Sequence, residues 1–150
     1  MSIRAYFWVK LKNKSPIGSD LFIGSYYISP DGKKDKFDTF NVLTEEAKRF
    51  NGRGDILLQG DFNGRTGKKD DFIQPDEFLD ELFDDILTQS AYTLPPRNSE
   101  DIQTNPRGEE LLDFCKSNEF AIVNGRKIGN LFGKGTSLQV RAWLTMLWFQ

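Results

Sequence analysis

The order of elements in this chain predicts an α/β or α+β layered domain. Three observations carry that prediction: two β-rich apolar runs near the start, one helical stripe after them, and a third strand-like run immediately beyond the helix. A strand, a helix and a strand in succession are the unit from which layered domains are built.

The first run, "AYFWVKLK", is rich in β-formers and alternates apolar with polar residues late in its length, which predicts a strand over Tyr6–Leu11. "LFIGSYYIS" predicts a second strand over 21–29, closed by the turn residues Pro30, Asp31 and Gly32. In "DKFDTFNVLTEEAKRF", residues Phe37, Phe40, Leu43, Ala47 and Phe50 fall on one helical stripe, and "NGRGD" breaks the helix. "ILLQG", Ile56 to Gly60, is apolar without alternation and predicts a central strand buried on both faces.

Asp70 to Asp85 carry eight carboxylates with no Lys or Arg among them. Wound into a helix, Phe78, Leu79, Leu82, Phe83, Ile86 and Leu87 cover one half of the cylinder. Asp76, Glu77, Asp80, Glu81, Asp84 and Asp85 cover the other. That division predicts a solvated helix face, not a metal cluster. The Pro-, Asn- and Ser-rich stretch that follows reads as a loop. Asn105-Pro106 reads as an N-cap with proline at the first helical position, and Glu109 and Glu110 suit the positive end of a helix running on through Leu111, Leu112 and Cys115. "FAIVNGR" is a further short strand ending in a turn.

The bulk composition is that of one globular domain. The chain has 150 residues, 38% of them hydrophobic, long enough to bury a core. A formal charge of −2 gives no global field toward nucleic acid. A single cysteine excludes an internal disulfide and fits a reducing compartment. With no histidine in the chain, Cys115 has no imidazole partner and is expected to be a buried structural thiol. The opening apolar run is too short for a signal peptide or a membrane span, so a soluble intracellular protein without a membrane partner is expected.

Three motif matches fail on inspection. "GNLFGKGT" is one residue short of a phosphate-binding loop and places Gly135 where Ser or Thr is needed. "DFNGRTGKKDDF" begins like a calcium loop but has Thr66 at the obligatory glycine and Phe72 at the terminal glutamate. Arg53-Gly54-Asp55 is a short tripeptide match with nothing to support an adhesive role.

"GDFN", Gly60 to Asn63, remains. If the strand continues through it, Asp61 and Asn63 share a face, because strand side chains alternate. Asp61 can orient or deprotonate a water or help to hold a divalent cation, and Asn63 can donate an amide N–H to an oxygen gaining charge. Those are parts of a phosphodiesterase, with Phe62 turned into the core. Asp and Asn are also common turn residues, so the same four residues are compatible with an ordinary polar turn.

"GDFN" after an apolar strand resembles the signature of the endonuclease/exonuclease/phosphatase superfamily. "WVKLKNK", "DLFIGSYYISPDG", "ILLQGDFNGRTG", "NPRGEELLDFC" and "FAIVNGRKIGNLFGKGTS" together resemble, in order from about Trp8 to Gln139, the endonuclease domain of LINE-type non-LTR retrotransposons. That resemblance implies a two-sheet α/β sandwich of the DNase I type and magnesium-dependent hydrolysis of a DNA backbone. It implies that Asp61 activates the attacking water, that Asn63 is its paired asparagine, and that both lie at the metal. It further implies that Tyr27 lies near the scissile phosphate, the alternative for Tyr27 being a half-buried strand aromatic. Arg65, Lys68 and Lys69 can touch DNA phosphates or form a solvated loop.

The departures set a further expectation. The family's asparagine-bearing strand and its principal magnesium ligand, a glutamate, precede the region matching Met1, and its closing Asp-His pair has no counterpart because the chain has no histidine. Residues 1–139 are therefore expected to be a partial domain, and 140–150 a divergent tail. That tail, "RAWLTMLWFQ" from Arg141, is apolar without sheet periodicity. Back-translated with free choice at degenerate positions and read two bases on, it yields Ser-Val-Val-Asp-Tyr-Val-Met-Val-Ser, a stretch like the family's next strand, so a frameshift or a mispredicted exon at about Val140 is expected. Three functional readings follow: an active endonuclease, a fragment inactive alone, and a non-catalytic binding domain using the same face. The missing glutamate and histidine favour the second. Such a fragment is expected to expose apolar surface, with Phe132, Trp143, Leu144, Leu147, Trp148 and Phe149 as its load.

Overall fold

A computed structural model describes residues 6–15, 18–29, 39–73, 95–126, 131–133 and 143–148. They form strands β1 (Tyr6–Leu11), β2 (Asp20–Tyr27), β3 (Gly54–Asp61), β4 (Phe120–Ile122) and β5 (Trp143–Trp148), with helices α1 (Thr39–Lys48) and α2 (Pro106–Ser117). The strands lie in one mixed sheet in the order β1-β2-β3-β5-β4. β2 and β3 are parallel and joined across α1, and the other three pairings are antiparallel. The α/β class read from the sequence is the class observed. The expected acidic helix falls within 74–94, and Pro30, Asp31, Gly32, Phe37 and Phe149 also lie outside the described residues.

Register assigns each strand's side chains to one of two faces. Phe22, Tyr26, Ile56 and Leu58 share the buried face, where they join Phe40, Leu43 and Ala47 of α1 and Leu111, Leu112, Phe114 and Cys115 of α2 in one core cluster. Trp8 packs against this core with its ring centroid 4.5 Å from that of Phe50, and Phe22 stacks on Phe50 at the same distance. Cys115 is fully buried, and that burial pushes its thiol pKa well above the ordinary value.

Among the described residues no helix or strand covers the opposite face. Phe7, Val9 and Leu11 of β1 are 59%, 41% and 50% exposed, and their register partners Ser25, Ile23 and Leu21 of β2 are half-buried. On β3, Leu57 is half-buried and Gln59 exposed. The prediction that "ILLQG" is buried on both faces therefore holds for one face. Among the described residues the helices cover only the side carrying Ile56 and Leu58.

β5 departs furthest from the sequence reading. A run without alternation reads as a non-strand, yet 143–148 is a full strand between β3 and β4. An interior strand with no polar face has no period of two to display. Phe132, expected among the exposed apolar residues, is 71% exposed.

Candidate functional site

β2 and β3 end together. Tyr27 and Asp61 are the last residue pair of their parallel register, so they share the open face at the carboxyl ends of two adjacent strands. Tyr27 is 47% exposed and Asp61 half-buried. The preceding pair, Tyr26 and Gly60, faces the core, and Gly60 at φ +140° brings its Cα so close to β2 that a Cβ would sit 1.9 Å from the Tyr26 carbonyl oxygen. The glycine of Gly-Asp-Phe-Asn is thus demanded by backbone approach.

The strand stops at Asp61, and this changes the geometry of Asn63. Asn63 has left-handed φ of +49°, and its backbone N–H donates to Asp61 Oδ1 at 3.1 Å. Its side chain is buried, and Nδ2 donates to the Ile28 carbonyl at 2.8 Å. Ile28 N–H in turn donates to the Asp61 carbonyl at 2.8 Å. Asp61 and Asn63 therefore do not present parallel side chains. Asn63 turns inward and pins the end of β2 beside the end of β3. Phe62 is fully buried, as its alternation predicted.

The loop beyond is clasped by α2. Asn105 Oδ1 accepts from Gly108 N–H at 2.7 Å as the N-cap, and also from Arg65 N–H at 2.9 Å, while Asn105 Nδ2 donates to the Asn63 carbonyl at 3.2 Å. A Cβ on Gly108 would lie 1.8 Å from the Arg65 carbonyl oxygen, so the first turn of α2 docks directly on this loop. The sequence marks Asn105 as a cap, but nothing local signals its second role across 40 residues of chain.

Two cations of this loop, Arg65 and Lys69, are engaged. Arg65 Nε and Nη2 each donate at 2.7 Å to the two Asp101 oxygens. That fork raises the Arg65 pKa and holds Asp101 below the ordinary carboxylate range. Lys69 pairs with Glu109, whereas Lys68 is exposed. Asp71, one carboxylate of the acidic run, is fully buried and receives Nη1 and Nη2 of Arg126 at 2.7 Å each and Ile122 N–H at 2.6 Å. Arg97 lies beside this pair and donates to the Gly67 and Lys69 carbonyls, with burial pulling its pKa down.

Magnesium needs an octahedron of oxygens, which proteins supply with one or two carboxylates alongside substrate phosphate and water. Among the described residues no three His, Cys, Asp or Glu side chains gather into a metal site. At this corner Asp61 offers one carboxylate, and the Asn63 side chain is buried with its Nδ2 donating to the Ile28 carbonyl. These residues do not make a magnesium cage by themselves. Among the described residues no helix is long and apolar enough to cross a membrane. Comparison with protein-family models, curated proteins and solved structures yields no match to this chain.

Proposed function

We propose that the chain carries the strand-end corner of a DNA phosphodiesterase of the endonuclease/exonuclease/phosphatase type, with its nearest likeness among LINE-type endonuclease domains, and that the 150-residue chain is inactive alone. The observation that carries this reading is the shared ending of β2 and β3, which sets Tyr27 beside Asp61 at the carboxyl end of a parallel pair. In open α/β sheets that is the end at which ligands bind. The open sheet face also supports a two-sheet sandwich, since a half-apolar face of this kind calls for a second layer.

In this reading Tyr27 lies against a phosphate, and Asp61 orients water or contributes one oxygen to a magnesium ion carried in with DNA. Asn63 acts through Asp61 and is a positioning residue. A lone carboxylate with no neighbouring imidazole supplies neither the full metal set nor an acid for the leaving oxygen, which accounts for the expected inactivity.

The test is nicking of supercoiled plasmid in magnesium, with the Asp61→Ala, Asn63→Ala double variant alongside. The proposal expects no nicking above that control. Nicking by the wild type that the double variant lacks would overturn the inactivity and keep the site; equal nicking by both would point to a contaminant and leave the chain inactive.

A further inference from the structure

The tripeptide Asn-Gly-Arg occurs three times in the chain, at 51–53, 63–65 and 124–126. An asparagine followed by glycine is chemically labile, because with no Cβ on the glycine its backbone nitrogen can swing onto the asparagine side-chain carbon. In a folded protein the reaction waits on the freedom of that one turn, so three copies of one sequence report on three local environments.

Two of the copies form the same turn. Arg53 N–H donates to the Phe50 carbonyl at 2.9 Å and Arg126 N–H to the Val123 carbonyl at 3.0 Å, with Gly52 at φ +75° and Gly125 at φ +85°. Their surroundings are opposite. Asn51, Gly52 and Arg53 are all exposed at the carboxyl end of α1. Asn51 N–H is tied to the Ala47 carbonyl at 3.2 Å, but among the described residues the Asn51 side chain and the Gly52 N–H make no hydrogen bond. Gly125 is buried, its carbonyl accepts from Asn98 N–H at 3.1 Å, and a Cβ on it would lie 2.0 Å from the Asn98 carbonyl oxygen. Beside it the buried Arg126 is held by both oxygens of Asp71. The third copy is locked in another way. Asn63 is buried with Nδ2 on the Ile28 carbonyl, and the Arg65 N–H is held by Asn105 Oδ1. Bringing Gly64 nitrogen onto the Asn63 side chain would break that buried bond.

We propose that Asn51 is a site of spontaneous deamidation, the one Asn-Gly of the three that the native fold leaves open to it. The inference stands apart from the phosphodiesterase reading. Gly52 nitrogen bonds to Asn51 Cγ and gives up its proton to solvent, and the side-chain nitrogen leaves as ammonia. Water then opens the cyclic imide at one carbonyl or the other, leaving aspartate or isoaspartate. One water is consumed for each ammonia released, and nothing is oxidised or reduced.

The product puts a new negative charge just beyond the carboxyl end of α1, the end whose dipole disfavours it. In isoaspartate the chain also runs through the side-chain carbon, which lengthens the turn that Arg53 N–H closes. Asn63, which pins the strand-end corner, is shielded from the same fate by the bond that gives it that role.

The test is to hold the whole folded chain in neutral buffer at body temperature for several days, beside the same chain unfolded in guanidinium chloride. Each Asn-Gly-Arg site is then read by peptide mass spectrometry. In the folded chain Asn51 is expected to deamidate at least about tenfold faster than Asn63 and Asn124, and unfolding is expected to bring the three rates within about threefold of one another. Asn51→Gln, at an exposed position, is expected to slow the appearance of acidic product on ion exchange, with a circular dichroism melt to verify that the variant is folded. Rates at Asn63 or Asn124 that match Asn51 in the folded chain, an Asn51 slowed by folding as much as the other two, or acidic product forming at the wild-type rate in Asn51→Gln would each overturn the proposal.

Discussion

Replacing Asn63 separates the two jobs assigned to it. Its Nδ2 donates to a buried Ile28 carbonyl at 2.8 Å, and its backbone sits at φ +49°. Asn63→Gly removes the amide but adopts this backbone freely, so the cost is that of stranding a buried carbonyl, about 1–3 kcal/mol. Asn63→Ala loses the same bond and also keeps a Cβ in the left-handed region, which alanine tolerates less well than asparagine or glycine, adding about 1 kcal/mol. The expected order of stability is wild type, then glycine, then alanine, with alanine about 2–4 kcal/mol below wild type. Urea unfolding followed by tryptophan fluorescence reads this, because Trp8 reports on the core through its contact with Phe50. An alanine variant within about 0.5 kcal/mol of wild type would refute the pinning role, since only an exposed side chain free of the fold gives so small an effect.

Three further perturbations bear on the same corner. Gly108→Ala forces apart α2 and the loop at Arg65, where a Cβ would meet the carbonyl oxygen at 1.8 Å, and is expected to lower the melting midpoint more than Gly64→Ala, whose Cβ would meet nothing nearer than 3.2 Å; a variant as stable as wild type would show that the docking yields easily. Asp71→Ala leaves the Arg126 guanidinium buried and uncompensated and is expected to cost about 3–5 kcal/mol, read by urea unfolding. Asp101 has its folded pKa held below 3.8 by Arg65, so its contribution is present above 3.8 and is lost as the pH falls through the lowered folded value. Asp101→Asn is therefore expected to flatten the acid limb of stability against pH below about 4, a change absent if the fork does not persist in solution.

What the sequence discloses tracks how local the signal is. Tyr6–Leu11 shows its strand through its own composition, and Asn105-Pro106 shows the start of α2 because a cap and a first-turn proline are written within two residues. β5 is hidden because its environment, not its pattern, makes it a strand. Asn63 was misplaced by carrying the alternation of β3 two residues past its end: a left-handed residue breaks the period and turns the amide inward. The Asp71–Arg126 pair spans 55 residues, and nothing near either residue announces the other; Asp71 sits in a run of carboxylates that suggests solvent. At the site itself, the position of Asp61 at a strand end and its company with Tyr27 follow from the order of the two runs, whereas the commitment of Arg65 and Lys69 to Asp101 and Glu109 needs the folded loop.

The carboxyl ends of β2 and β3 are proposed as the corner to which a phosphodiester and a divalent cation come. Paramagnetic broadening by Mn²⁺ in the presence of a short DNA duplex tests it most directly in backbone amide spectra. The signals of Tyr27 and Asp61 and their neighbours are expected to fade first, Asp61→Ala to abolish this, and Asn51 and Asn118 at the far end of the sheet to be spared. Broadening that begins elsewhere, or that persists unchanged in Asp61→Ala, would contradict it.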